Sequence, residues 1–385
     1  MRILGIETSC DETGVTLIEA SGDFGADFRF HTLGNALLSQ IAIHAPYGGV
    51  FPNLAKREHA KNLVPIMMEA LAEAGELHDG AEDPDLESLR TILARESELF
   101  DQLGVFLSSH KKPAIDAIAV THGPGLEPAL WVGVNFARAL ALAWDVPIVA
   151  TDHMEGHIVL SMMREDRLAD IEFPILSLLI SGGHTEIVLS RAWHIYEKIG
   201  ATRDDAAGEA FDKVARLMDL PYPGGPEISR LAALARQEKI PREIILPRPM
   251  LHEHNYDFSF SGLKTAVRRV VEANTPLSDE MKKELAREFE DAVADVLVGK
   301  TMRAVEEFGA RAVVVGGGVS ANTHIRHCLA EALAKAGQPA TLLVPPRELS
   351  TDNALMIAIA GYFRAIKGEF ADPTGLKASG NLTLA

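Results

Sequence analysis

Two stretches of the chain read as strand, polar turn, strand, and their recurrence constrains the fold more than any other feature. Residues 3 to 8 form an apolar run that ends in the turn Thr8-Ser9-Cys10-Asp11-Glu12-Thr13-Gly14 and resumes at Val15 to Ile18. Residues 174 to 180 repeat the pattern, with Ser181-Gly182-Gly183-His184-Thr185 as the turn and Glu186 to Leu189 as the return. Period-two apolar runs bounded by turn residues are hairpin signals, and their repetition points to a duplicated lobe. At 385 residues the chain also exceeds what one ordinary core accommodates, so two lobes are expected.

Each repeat leads into parallel α/β material. Ile115 to Val120 reads as a buried strand, followed by the loop Thr121-His122-Gly123-Pro124-Gly125, a helix from about Pro128 to Trp144 and a strand over Pro147 to Ala150. In the second half, Asp204 to Lys213 reads as a helix with carboxylates in its first turns, and Pro221 to Pro226 as a rigid loop suited to one wall of a nucleobase pocket. Ser259 to Lys264 punctuates the chain before a helix. Residues 280 to 308 form one long amphipathic helix or two, Ala312 to Val315 a buried strand, and Gly316 to Asn322 a glycine loop opening a helix. Glycine turns at strand ends free backbone amides for anions, although such a turn also serves simply to pack a helix.

The chemistry concentrates at His153-Met154-Glu155-Gly156-His157. Imidazoles four residues apart share one helical face, a geometry that can hold one metal ion. Asp352, in a polar cluster ahead of the apolar run Ala354 to Ala360, is the candidate third ligand. Two histidines and a carboxylate leave coordination positions open, which suits Fe(II) or Zn(II) acting on a substrate. A metalloprotease would require a glutamate directly after the first histidine, where Met154 stands. Asp11 and Glu12 place carboxylates where a proton or a metal-bound water could be handled. With only Cys10 and Cys328, neither a disulfide framework nor a cysteine zinc site is expected.

The formal net charge of -17 argues at first against a nucleic-acid partner. Between Glu69 and Asp101, however, eleven acidic residues face only Arg90 and Arg95, so more than half of the excess lies in one segment. Residues 76 to 112 accordingly read as an inserted helical excursion beyond a helix over 54 to 74. Lys56, Arg57, Lys61, Lys264, Arg268 and Arg269 remain as a candidate RNA-contacting set. No apolar run approaches the roughly 20 residues of a membrane span, and the immediate N-terminal strand leaves no room for a signal peptide; cytoplasmic location is the expectation.

The runs Gly5 to Thr13, His153 to His157, Ser181 to Thr185, Asp204 to Lys213 and Gly317 to Asn322 together resemble the tRNA threonylcarbamoyladenosine transferase family, from residue 1 to about 365. Only the acidic excursion and the segment around 21 to 30 lack a counterpart. The resemblance implies an α/β, two-lobed actin/Hsp70/sugar-kinase fold with duplicated ribonuclease-H-like lobes: lobe I over 1–157, lobe II over 158–349 and a segment over 350–385 returning to lobe I. It implies transfer of threonylcarbamoyl from threonylcarbamoyl-AMP to the exocyclic amine of the adenosine beside the anticodon, in tRNAs reading codons that begin with A. His153, His157 and Asp352 become the ligands of one divalent metal, Fe2+ with Zn2+ as the alternative. Leu179, Ile180, Ser181, Gly182, Gly183, Asp212, Gly225 and Asn322 become the substrate-binding positions, and Asp11 and Glu12 candidates to take up the amine proton. Leu179 stands where archaeal relatives carry a tyrosine ligand, which favours the bacterial branch, whose members work with a paralogous subunit and a small ATPase. Asn53 and Asp152 depart from the residues common in relatives, a glutamate and a second histidine. A kinase or ATPase on the same fold, and a non-catalytic scaffold subunit, are the competing classes.

Overall fold

A computed structural model describes residues 1–80, 83–337 and 340–384. Ala81 and Glu82 of the acidic segment, and Ala385 of the C-terminal segment, lie outside the described residues. The first strands are β1 (Arg2–Glu7), β2 (Glu12–Ser21) and β3 (Arg29–Ser39), then α1 (Pro52–Glu73) and the two helices of the acidic excursion, α2 (Leu86–Ile92) and α3 (Ser97–Ser109). Strand β4 (Ala117–Gly123), helix α4 (Glu127–Trp144), strand β5 (Ile148–Asp152) and helix α5 (His153–Ser161) complete this stretch. The sheet order is β3-β2-β1-β4-β5, with β2 antiparallel to both neighbours and β4 and β5 parallel to β1. Ile3, Leu4 and Ile6 are fully buried, as a strand covered on both faces requires.

The second half repeats this plan. Strands β6 (Ile175–Ile180), β7 (Thr185–Ala192) and β8 (Ile195–Ala201) lead to helices α6 (Ala207–Leu217), α7 (Gly224–Gln237), α8 (Ser261–Ala273) and α9 (Asp279–Phe308). Then come β9 (Ala312–Gly316), α10 (Thr323–Lys335) and β10 (Thr341–Leu343). The order β8-β7-β6-β9-β10 has the same pattern of antiparallel and parallel pairs as the first sheet. Duplication is therefore present in topology, not only in the turns. Each unit has its own core: Leu4, Val15, Met67, Phe136 and Trp144 in the first, and Leu178, Phe211, Phe258, Phe289 and Val313 in the second.

Helix α11 (Ala354–Ala365) returns the chain to the first unit and packs on β1, β4 and α5. Small residues admit it: a Cβ on Gly5 would stand 2.5 Å from the Ala354 carbonyl oxygen, and one on Gly361 2.3 Å from the Ala119 Cβ. Met356, Ile357, Ile359 and Phe363 are fully buried, each stabilising by about 1.5–3 kcal/mol through area removed from water. The compact units comprise 1–43, 50–170 and 352–384, and 44–49 with 171–351. In this division the first unit runs on to Asp170, and α5 within it packs against α11.

Two local expectations change, and one left between alternatives is resolved. Asp204 and Asp205 precede α6, which starts at Ala207; Asp204 instead accepts from Phe260 N–H at 2.8 Å and Ser261 N–H at 3.2 Å, at the start of α8. Residues 279–308 are one helix. Gly224 to Pro226 belong to the first turn of α7 and not to a loop. Among the described residues, no helix is long and apolar enough to cross a membrane.

Candidate functional site

Strand β5 runs directly into α5, and Asp152 at the junction caps the helix by accepting from the N–H groups of Met154 (2.7 Å) and Glu155 (3.1 Å). That cap fixes the first turn, so His153 and His157 stack one turn apart with ring centroids 4.8 Å apart. Gly156 keeps the facing side clear: a Cβ there would meet Met356 and Ile357 of α11 at 3.1 Å. With α11 this close, Asp352 is carried to the histidines. Its Oδ1 stands 3.1 Å from His157 Nε2 and 3.4 Å from His153 Nε2. One ligand atom from each of the three residues lies within 4.8 Å of the others. Two donors each about 2.1 Å from a shared ion stand roughly 3.0–3.4 Å apart at angles between right and tetrahedral. The triad fits a divalent cation.

The surroundings fit one as well. Glu7, at the end of β1 and fully buried, accepts from Ser9 N–H (2.5 Å), Thr121 Oγ1–H (2.6 Å) and His153 Nδ1–H (3.2 Å). That arrangement fixes the imidazole tautomer, leaving Nε2 to face Asp352. Burial works to raise the Glu7 carboxyl, but the charge and hydrogen bond of His153 outweigh it and hold it below the usual carboxylate range. Asp11 and Glu12 are buried in the same unit. Burial, with the charges of Asp352 and Asp11 adding, pushes the Glu12 carboxyl up to about 10. Three buried acids, Glu7, Asp11 and Glu12, and the partly buried Asp352 thus accompany two imidazoles, and the upward push on Glu12 registers a negative potential that a cation offsets. Glu155 is not available as a base: fully buried, it accepts from Arg364 Nε and Nη2 of α11, both at 2.6 Å.

The second unit holds a cradle of different chemistry. The turn Ser181 to His184, the N-terminal ends of α6 and α7 and the segment after β9 converge. Gly208 N–H donates to the Ser181 carbonyl, and Gly224 N–H donates to Asp212 Oδ1 at 2.7 Å. Gly317, with φ of +85°, brings its loop against Ile180; a Cβ there would stand 2.6 Å from the Ile180 oxygen. A Cβ on Gly182, Gly183, Gly225 or Gly318, in contrast, would meet nothing within 4 Å. The first N–H groups of both helices are already taken, Ala207 N–H by Thr185 Oγ1, Gly208 N–H by the Ser181 carbonyl and Gly224 N–H by Asp212, so what the cradle offers a ligand is the open backbone at its glycines. Asn322 caps α10 and bonds to Ser229 of α7. Leu179 and Ile180 are fully buried, Leu179 paired in the sheet on both sides and Ile180 with β7, so they frame the turn from beneath.

The third glycine turn is different. A Cβ on Gly123 would stand 2.1 Å from the Ser379 oxygen and one on Gly125 2.6 Å from the Ser9 oxygen, while Gly125 N–H donates to the Gly380 carbonyl. The C-terminal segment fills this loop, whose glycines serve packing. Of the basic candidates, Lys56 pairs with Glu96, Lys264 with Asp205 and Arg268 with Glu272, whereas Arg57, Lys61 and Arg269 are exposed. Glu7, Thr121, Ser229, Glu290 and Gly318 were not singled out by sequence reasoning. Glu7 alone carried a signal, as an acid interrupting an apolar strand.

Two units of one topology, one bearing a His/His/Asp triad at a strand end and the other a glycine-lined cradle, define a protein of the actin/Hsp70/sugar-kinase fold whose triad could hold a metal ion. HypF from T. kodakarensis shares this architecture with a TM-score of 0.53 at 13% identity, over 96% of this chain and 48% of HypF. A full-length HypF in a phosphate- and nucleotide-bound form aligns with a TM-score of 0.52 at 13% identity, over 95% of this chain and 55% of its own. The family is set by sequence. The model of TsaD, tRNA N6-adenosine threonylcarbamoyltransferase, matches residues 31–78 and 105–359, leaving out most of the acidic excursion. Proteins of that name from Chromobacterium violaceum (40% identical, 97% of this chain and 95% of theirs) and Ralstonia pickettii (43%, 94% and 91%) align nearly end to end. The chain belongs to the tRNA N6-adenosine threonylcarbamoyltransferase family.

Proposed function

We propose that this protein transfers the threonylcarbamoyl group from threonylcarbamoyl-AMP to the exocyclic amine of the adenosine beside the anticodon, in tRNAs reading codons that begin with A. The observation that carries the reading is the convergence of the buried His153 and His157 on the partly buried Asp352, in a chain 40–43% identical to proteins of that name. These three residues would hold one divalent ion, Fe2+ in first place and Zn2+ as the alternative. Bound there, it supplies Lewis-acid polarisation of the acyl-adenylate's oxygens.

The chain's own groups supply the rest. The adenosine amine attacks the carbamoyl carbon, the bond from that carbon to the phosphate oxygen breaks, and AMP leaves with the electron pair. The amine's proton passes to a carboxylate of the β1–β2 turn, Asp11 or, in its ionised form only, Glu12, whose carboxyl is pushed up to about 10. In the second unit, the open backbone of the Ser181 to Gly183 turn receives the adenylate phosphate, with Asp212, Gly225 and Asn322 around the nucleoside. Exposed Arg57, Lys61 and Arg269 offer phosphate contacts for tRNA. A tRNA substrate places the work in the cytoplasm, and a paralogous subunit with a small ATPase are the expected partners.

The test is to incubate the purified chain with threonylcarbamoyl-AMP and such a tRNA, with and without those partners, then digest the tRNA and analyse its nucleosides by mass spectrometry. Threonylcarbamoyladenosine is expected, and its dependence on the partners defines the working assembly. Its absence under both conditions, with metal bound, would overturn the reading. Asp11→Asn and Glu12→Gln each reduce the rate; if both stay within a few-fold of wild type, the proton role is withdrawn.

A further inference from the structure

Asn322 lies at the start of α10, and nearly all of its hydrogen-bonding capacity is already committed. Its Oδ1 accepts from Ile325 N–H at 2.9 Å, as a helix cap does. Both hydrogens of its Nδ2 are engaged, one by Ser229 Oγ at 2.9 Å and one by Glu290 Oε1 at 2.7 Å. Its backbone N–H donates to the Val319 carbonyl, and its carbonyl accepts from Arg326 N–H. What remains is one lone pair on Oδ1. The amide cannot be turned round, because the flipped group would set an N–H₂ against the Ile325 N–H and a carbonyl oxygen against a carboxylate.

The carboxylate that enforces this is buried. Glu290, in the middle of α9, is 1% exposed, and its second oxygen accepts from Arg236 Nη1 at 2.6 Å. Arg236 also bonds Asp291 Oδ1 at 2.5 Å. Glu290 therefore remains a charged acceptor with a fixed direction, held by a guanidinium on one side and spent on Asn322 on the other.

We infer that Glu290 is a positioning residue that fixes Asn322 as a hydrogen-bond acceptor in the cradle. Asn322 then recognises a donor on the bound nucleotide, either a ribose hydroxyl or the exocyclic amine of the base. This rests on the reading that the cradle takes an adenylate. Ser229 completes the hold.

The test exchanges the two ends of the contact. Asn322→Asp retains the helix cap and the free acceptor but sets a second carboxylate against Glu290; it should lower Tm and weaken AMP binding by about tenfold or more. Adding Glu290→Gln restores a donor facing the new carboxylate, and both Tm and AMP affinity should recover, a coupling that a merely structural glutamate does not give. Recovery of Tm without recovery of AMP binding would mean that Asn322 donates to the nucleotide, and would overturn the inference. An unchanged Asn322→Asp variant would overturn it equally. With wild-type protein, loss of affinity for 2′- or 3′-deoxy-AMP places the donor on the ribose, and loss for inosine monophosphate places it on the base. No loss with any of them removes the acceptor role. A wild-type protein that binds no AMP would instead sink the adenylate reading, and the Tm cycle alone would then decide whether Glu290 holds Asn322.

Discussion

Replacing Glu7 with glutamine changes one charge and almost no volume at a fully buried position, so its effect on the triad can be worked out from three contacts. Ser9 N–H must still be accepted, which assigns the glutamine oxygen to that side. The new N–H₂ then faces Thr121 Oγ1 and His153 Nδ1. The threonine hydroxyl can rotate and accept. The imidazole can accept only by moving its proton to Nε2, the nitrogen that faces Asp352 and is needed for the metal. Binding an ion then forces two donors together at Nδ1, or forfeits a hydrogen bond to a charged group worth about 1.5–3 kcal/mol. That corresponds to roughly a 10- to 100-fold loss of affinity, in line with the loss of an orienting partner behind a metal ligand. The assay is competition for Zn2+ or Co2+ against a chromophoric chelator at fixed pH, with His153→Ala as the reference for a lost ligand. Chelator-treated Glu7→Gln should remain folded. Affinity within threefold of wild type would refute the idea that Glu7 sets the tautomer of His153.

Other outcomes follow from the same geometry. Asp352→Asn removes a ligand and not its support, so metal content after dialysis should fall further than in Glu7→Gln, by more than about 100-fold in affinity; equal losses would contradict the assignment. Gly182→Ala and Gly225→Ala place a methyl in open space and should leave stability within about 0.5 kcal/mol while weakening AMP binding. Gly317→Ala, at positive φ and 2.6 Å from a carbonyl oxygen, should destabilise by about 1–3 kcal/mol in urea unfolding. Lys300 is fully buried, with its ammonium donating to the Asn255 carbonyl at 2.9 Å, and burial, with the charge of Arg303 adding, lowers it to about 8. Between that value and the ordinary 10.5, the unfolded chain holds the proton and the folded chain does not, so stability rises with pH across this window. Wild type should gain about 2 kcal/mol over Lys300→Met between pH 7.5 and 9.5 in paired urea titrations, and a parallel pH dependence of the two proteins would contradict it.

The histidine pair was legible because helical periodicity alone puts residues 153 and 157 on one face. Asp352 was nominated from its polar neighbourhood, but only α11 shows why it arrives: Gly5, Gly156 and Gly361 let that helix approach. The glycine turns at 121–125 and 181–183 look alike in sequence, and what separates them is the distant segment at Ser379 and Gly380, which fills one of the two. Glu290 was hidden for a different reason. Helix α9 buries Glu284, Arg287, Glu288, Glu290 and Asp291, so apolar periodicity cannot say which acid faces inward; their partners on α7 and in residues 240–248 decide it. The outer strands β3 and β8 escaped notice because edge strands alternate weakly, as the exposed Leu37 and Leu38 illustrate.

The first unit is interrupted: its strands come from the opening of the chain and its packing helix α11 from the end, with residues 171–351 between them. During synthesis the histidines emerge long before the aspartate that joins them, and at about 5–20 residues per second the interval is roughly 10–40 s. Throughout that interval β1 lacks the helix that covers it, while the intervening unit has all of its own core residues and can fold. Closure of the triad is therefore a late event that awaits synthesis past residue 352. A chain stalled or cut before residue 352 keeps both imidazoles but not the aspartate that joins them, so the three side chains come together only in chains that extend past that point.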